Sequence, residues 1–318
     1  MFTLVQKRRI FFAISGTVIL IGIVLMGYSL ITTGSPFDLS NDFVGGSIYE
    51  VDFSGTGADE ASIRQVFEAN GNTDVTVQRV GDPSEERWSI RAEYQDLDTQ
   101  TAILAGLAQL AQLDTERTRV EQVSSAVGAE VGRAAMGAVV VAAIVVTIFM
   151  LLAFRRVPHA ARYGVSAIVA MLHDVLVLCA IMAVASLVLG WQADALFLTA
   201  LLTVVGFSVQ DTIVVFDRIR ENIIRYLGEP YEAIVNRSLI ETLHRSLATQ
   251  LNAFFIMAAI LLFGGPSLRQ FIAILFIGLL TGTYSSIFIA SPVLVAWEKG
   301  EIPFVNRKKK AKPSAEAV

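Results

Sequence analysis

GFSVQDTIVVFDRIREN, residues 206–222, sets a carboxylate inside an apolar run. Ala195 to Val205 before it is almost wholly apolar, Ile213 to Phe216 after it is apolar too, and Asp211 stands between them. A charged side chain at the centre of a membrane helix costs about 2.5–3.5 kcal/mol on insertion scales, so it is kept for pairing or function. The fold therefore turns on whether the flanking segments cross a bilayer.

Composition says that they do. The 318 residues are 54% hydrophobic and only 17% charged, with a mean hydropathy of +0.58. That balance excludes an ordinary soluble domain and points to an integral membrane protein. A helix needs about 20 apolar residues to cross the hydrocarbon. Six stretches qualify, near Ile10–Ile31, Arg133–Phe154, Val165–Leu189, Leu196–Phe216, Leu247–Phe263 and Phe271–Trp297. The first is too long for a signal-peptide core and no small-x-small site follows it, so it is expected to stay as an anchor. Lys7, Arg8 and Arg9 precede the first span, and Arg155, Arg156 and Arg162 lie between the second and third. Arg218, Arg220, Arg225 and Arg237 lie between the fourth and fifth, and Lys299 and Arg307 to Lys310 follow the sixth. The positive-inside rule calls that side cytoplasmic. Residues 32–131 hold 18 Asp and Glu against 6 Arg and no Lys, twelve net negative charges, and fall on the other side. The expected layout is a cytoplasmic N-terminus at 1–9, a first transmembrane helix at 10–31 and an external domain at 32–131. A five-helix transmembrane domain at 132–298 and a basic cytoplasmic tail at 299–318, expected to be disordered over Arg307–Val318, complete it. The single cysteine, Cys179, reads as a packing residue and reports no redox compartment.

The external segment has the pattern of a folded domain. Trp88, Ile90, Ala92 and Tyr94 alternate with Arg87, Ser89, Arg91 and Glu93, a half-buried strand. Tyr49, Val51 and Phe53 alternate in the same way, Val75 and Val77 mark another strand, and Gly81-Asp82-Pro83 is a turn signal. Asp59–Asn70 reads as a helix stopped by Gly71, and Asp98 is placed to cap a second helix with a Leu104, Leu107, Ala111 stripe. A last strand is expected over Arg117–Val123. The order β-α-β-β-α-β predicts a ferredoxin-like α+β domain.

Polar residues inside spans are the functional suspects. His173 and Asp174 lie near the middle of the third span, about 16 Å deep at 1.5 Å per residue. Asp211 lies near the inner end of the fourth, with Ser208 and Thr212 beside it. Arg245 sits at the mouth of the fifth, and Thr249 and Asn252 share its helix face. Gly278 and Gly282 form a GxxxG surface on the sixth, where Ser285 and Ser286 follow. Each has a plainer reading: Arg245 snorkels to lipid, His173 is a hydrogen-bonded packing residue, and Asp211 is half of a structural ion pair rather than a proton relay.

Several motifs together resemble the SecF protein-export family. GFSVQDTIVVFDRIREN at 206–222 is similar to its fourth-span signature, and DFVGGS at 42–47, with Asp42, Phe43, Gly45 and Gly46, to its D-F-x-G-G motif. FGGPSLRQF at 263–271 and IGLLTGTYSSIFIASP at 277–292 resemble its last loop and sixth span. The resemblance implies a six-helix half of the resistance-nodulation-division type, paired with a SecD-like subunit in the inner membrane. It implies work with the SecYEG channel on unfolded exported polypeptides, protons as the coupling ion, no other cofactor, and no part for nucleic acid. Asp211 and Arg245 map onto the family's proton path. The expected function is gradient-driven promotion of protein export; the alternative is a proton-driven exporter of small molecules or lipids. No nucleophile–base pair and no metal spacing marks an enzyme.

The topology has a direct test. In a Cys179→Ala background, an impermeant thiol reagent added to intact cells labels Ser84→Cys and spares Ser314→Cys. The reverse pattern inverts the orientation.

Overall fold

In hydrocarbon every backbone polar group needs an internal partner, so a chain this apolar has to build its spans as helices. The computed structural model describes residues 3–54, 57–73, 75–80, 86–155 and 159–301. The turn at 81–83, Arg156, the tail from Arg307 and the labelling positions Ser84 and Ser314 lie outside them.

Six helices are long and apolar enough to cross a membrane: Val5–Thr33, Ser125–Ala153, Ala160–Leu189, Ala195–Arg225, Tyr231–Phe263 and Leu268–Glu298. All six expected spans are present, each with extra turns beyond the hydrophobic stretch. The third, fourth and sixth are about half buried by the rest of the chain, while the first, second and fifth are nearly bare. The sixth is interrupted: α-helix Pro266–Ser285 passes through a π-helical turn at Ser286–Ala290 before α-helix Ser291–Glu298.

The chain divides into two compact units. One takes Met1–Ser29, Val141–Val184 and Thr199–Val318; the other takes Leu30–Val140 with Ala185–Leu198. In the first unit Phe154, Tyr163 and Phe216 pack ring against ring in a core with Val235, Leu239 and Leu294. Arg8 joins Glu232 at 3.0 Å and Glu301 at 2.5 Å, and Lys299 joins Glu232 at 2.6 Å. Val5 donates its N–H to Asn236 at 3.1 Å, so the start of the first span is tied to the start of the fifth.

The second unit holds an antiparallel sheet of β1 (Gly46–Asp52), β2 (Thr76–Arg79), β3 (Arg87–Ala92) and β4 (Arg119–Val123), in the order β2-β3-β1-β4. A one-turn helix α1 (Asn41–Val44) leads into β1, α2 (Glu60–Ala69) follows β1, and α3 (Leu97–Leu110) follows β3. The β-α-β-β-α-β order expected from the sequence is the order found. Alternation explains the core: Tyr49 faces Ile90 and Val51 faces Trp88 across β1 and β3, and Val77 faces Ile90 across β2 and β3. These pack with Ile63 and Phe67 of α2 and Ile103 and Leu107 of α3. Tyr49 meets Phe67 edge to face at 5.1 Å, a geometry that adds to burial.

Three local expectations fail. Tyr94 lies beyond the end of β3 and is 53% exposed, because the strand stops at Ala92. The second domain helix is capped by Asp96, whose carboxylate accepts the Thr99 N–H at 3.0 Å; Asp98 is already inside the first turn. The helix buries Ile103 with Leu107, while Leu104 is only partly buried and Ala111 is its extended C-terminal cap.

The residue just before β1, Gly45, has to be glycine. Its φ is +80°, and a Cβ there would stand 2.6 Å from the Ser125 Cα, a backbone atom. Left-handed backbone costs an L-residue about 1–2 kcal/mol before any clash. Gly45→Ala is expected to cost about 2–4 kcal/mol, read as a lower unfolding temperature of the detergent-solubilised chain and earlier amide exchange in Arg87–Ala92. An unchanged melting curve refutes the close approach.

Candidate functional site

A carboxylate removed from water needs donors, and the third span meets that need for Asp174 with neighbours from two other helices. Asp174 is fully buried. Its Oδ1 faces Nδ1 of His173 at 3.0 Å, and its Oδ2 accepts the Ser285 hydroxyl of the sixth span at 2.7 Å. The Ser208 hydroxyl of the fourth span donates to the same oxygen. One side chain therefore joins the third, fourth and sixth spans.

Small residues make that junction possible. A Cβ on Gly278 would stand 2.3 Å from Val204 Cγ2, and one on Gly282 would stand 3.3 Å from Ser208 Cβ. Without side chains there, the sixth span comes close enough for Ser285 and Ser208 to reach one carboxylate. Ser285 also donates to the Gly282 carbonyl at 3.1 Å. The π turn begins at the next residue, Ser286, whose hydroxyl reaches the Thr283 carbonyl; Ser291 donates back to the Ser286 carbonyl at 3.1 Å. Single π turns inside helices occur often at functional positions.

Asp211 sits one turn beyond Ser208 and is also buried. Its Oδ2 accepts the Gln250 side-chain amide at 2.7 Å, and Ser246 is buried one turn before Gln250. Both belong to the fifth span, where Thr242, Ser246 and Gln250 recur every four residues on the buried face. Arg245, Thr249 and Asn252 occupy the exposed face of that helix. The expected Asp211–Arg245 pairing is therefore not the contact found: a neutral donor holds the carboxylate, and no ion pair to Arg245 occurs among the described residues. Thr249 bonds back to the Arg245 carbonyl at 3.1 Å, and Thr212 to the Ser208 carbonyl at 3.0 Å, so both hydroxyls are spent within their own helices.

Gln250, Ser246 and Tyr284 were not singled out in the sequence. The four-residue recurrence through Thr242, Ser246 and Gln250 was the available signal for the first two.

The second unit places the Asp42-Phe43 motif at the start of the fourth span. Ser40 caps α1 by accepting the Asp42 N–H at 3.2 Å, Phe43 lies against Gly128, and Gly46 opens β1 opposite Val123. Asp42 accepts the Ala195 N–H at 3.0 Å, and Asp194 accepts the Phe197 N–H at 2.7 Å. Two carboxylates thus answer the unpaired N–H groups that open a helix. Burial, opposed by the Phe197 N–H and reinforced by nearby Asp42, holds the Asp194 carboxyl above its usual range.

A family model described as "Protein export membrane protein SecD/SecF, C-terminal" matches residues 103–300. The chain belongs to the SecD/SecF protein-export membrane protein family. It is 44% identical to a protein of Anaerolinea thermophila named "Protein translocase subunit SecF", over 95% of this chain and 96% of that one. A protein of the same name from Thermobaculum terrenum is 38% identical over the whole of both chains. Among solved structures, a Thermus SecDF described as a translocon-associated membrane protein is similar with a TM-score of 0.76 and 29% identity. That likeness covers 94% of this chain and 39% of the SecDF chain. SecDF in a super-membrane-facing form is similar with a TM-score of 0.60 and 25% identity over the same shares. The relatives are named as translocase subunits, not as enzymes. The chain is a multi-pass membrane protein of a protein-transport family.

The glycine contact yields a double-substitution test. Gly278→Ala drives a methyl into Val204 and is expected to destabilise the protein by about 1–3 kcal/mol, lowering its unfolding temperature in detergent. Val204→Ala in the same chain removes the opposing atoms and recovers at least half of the loss. Additive losses from the two changes refute the packing account.

Proposed function

We propose that this chain is the SecF-like subunit of a Sec accessory complex in the bacterial inner membrane, where it uses the proton gradient to promote export of preproteins through a SecYEG channel. Its partner is a SecD-like subunit, its substrates are unfolded exported chains, and protons are its coupling ion. Both termini are cytoplasmic, and the domain at 32–131 is an external ferredoxin-like module, a reading supported by its β2-β3-β1-β4 sheet under two helices.

The observation that carries the proposal is Asp211: a carboxylate buried within a span and held by the Gln250 amide, which carries no charge. An ion pair ties a carboxylate to its ionised form, since protonation strands the buried cation. Neutral donors impose no such penalty. Protonation adds an O–H that must donate where the carboxylate only accepted, so the Asp211–Gln250 contact has to re-form. The fifth span moves with Gln250, and Arg245 on its outer face moves too. That exposed guanidinium inside a span fits an anionic group on the partner subunit's helices. The local charge change is the switch, and helix packing is the two-state element it biases. Cycling between the states lets the external domain hold an emerging chain and release it outward.

Asp211→Asn preserves size and hydrogen bonding but cannot cycle a proton. It is expected to leave the protein abundant and partner-bound while abolishing uncoupler-sensitive export into inverted membrane vesicles, at matched protein levels. Asp211→Glu retains partial activity. Full uncoupler-sensitive export by Asp211→Asn would falsify the relay.

A further inference from the structure

The relay at Asp211 leaves a second titratable pair in the bundle without a task. His173 turns Nδ1 to Asp174 at 3.0 Å, and Asp174 also takes the Ser208 and Ser285 hydroxyls. A carboxylate that already accepts two hydroxyls is an acceptor toward the ring as well, which puts the imidazole proton on Nδ1. Nε2 has no hydrogen-bond partner among the described residues. The ring instead lines a cleft of about 260 Å³ walled by Ile14, Ser15, Val18, Val177, Thr281 and Tyr284. At this cleft the polar groups are Ser15, His173, Thr281 and Tyr284 in an otherwise apolar wall. Tyr284 lies against the imidazole at 6.0 Å between ring centres, and its hydroxyl accepts from Ser15 at 3.2 Å.

We propose that His173 and Asp174 form a second proton-binding site, loaded from water through this cleft, that sets the packing of the third, fourth and sixth spans. One proton from water enters at Nε2. The ring becomes imidazolium, with its Nδ1–H still on Asp174, or passes that Nδ1 proton to Oδ1; the net gain is one proton, and release reverses the step. The groups facing the ring are Asp174 on its own helix, Ser15 on the first span, and Thr281 and Tyr284 on the sixth. None of these groups is cationic, and Asp174 and the Tyr284 ring flank the imidazole. Once charged, the ring competes with Ser208 and Ser285 for the Asp174 carboxylate, which is the contact that holds the sixth span to the fourth. The inference rests on the proton-coupled reading of the protein, but its first test does not pass through Asp211.

Three histidines, His159, His173 and His244, make the site addressable. The full chain, histidine-labelled with nitrogen-15 and placed in lipid nanodiscs, is followed by NMR from pH 5 to 8.5, with His173→Gln identifying the His173 signals. The expected result is a neutral ring with its proton on Nδ1 at the alkaline end, conversion to imidazolium within the range, and exchange of the ring protons with water. In Asp211→Asn the ring still titrates, with its midpoint free to shift through the fourth span, so loss of the Asp211 relay and loss of this site are told apart. In inverted vesicles His173→Gln, which keeps a donor toward Asp174, lowers uncoupler-sensitive export at least fivefold at unchanged abundance. A ring that stays neutral across the whole range overturns the proposal, even if His173→Gln is inactive, because His173 is then a positioning residue only. Full export by a stably inserted His173→Gln overturns it as well.

Discussion

The helical unit depends on keeping one ionisable carboxylate, Asp174, out of water without leaving it bare. In hydrocarbon an unsatisfied polar group costs several kcal/mol. Apolar packing adds little between helices there, since lipid tails are as apolar as the side chains they replace. Hydrogen bonds and close backbone approach then decide which helices meet. Asp174 draws Ser208 and Ser285 to one oxygen, and Gly278 clears the space against Val204 that lets the two serines converge. The three spans joined in this way are the three best buried within the chain.

The fifth span shows the same rule at work on two polar faces. Thr242, Ser246 and Gln250 lie inward, and Arg245, Thr249 and Asn252 lie outward. A guanidinium turned inward would bring its full desolvation cost to Asp211, and an ion pair repays that cost only with excellent geometry. A neutral amide satisfies the same carboxylate more cheaply. The outward arginine then becomes a requirement on whatever covers that face, which is why the proposed partner is one that brings an anionic group to the span.

The elements legible in the sequence were those governed by a period. Six apolar stretches became six spans because span length is set by the bilayer, and the alternation at Tyr49–Phe53 and Arg87–Ala92 became the core of a sheet. Where two adjacent signals competed, the sequence was mute. Asp98 was placed as the cap, but the cap is Asp96, two residues earlier, whose extended backbone lets it accept the Thr99 N–H. Asp211 was visible as a charge out of place, but its partner was not. Helical spacing grouped Arg245 with Thr249 and Asn252 on one face of the fifth span, and only the rotation of that helix, set by its packing along the whole unit, decides which face meets the fourth. The Ser208–Asp174–Ser285 junction joins residues up to 111 positions apart, which no local pattern encodes.

The fourth span is where these constraints meet. Ser208 and Asp211 are three residues apart, about 4.5 Å along the axis at 1.5 Å per residue and on neighbouring faces. Ser208 is committed to Asp174 on the third span, and Asp211 to Gln250 on the fifth. A packed helix interface does not deform continuously, so a rotation of the fourth span that relieves one contact must strain or break the other. The Asp174 carboxylate, held by Ser208, and the Asp211 carboxylate, carried by the fourth span itself, are therefore coupled through the rotation of that span, without touching each other. On the proton-coupled reading, this is how a charge change at one of them reaches the packing of the whole bundle: the fourth span settles in whichever orientation satisfies the pair in its current protonation state. The GxxxG contact with the sixth span bounds that rotation, since Gly278 fits against Val204 only while the two helices keep their present facing.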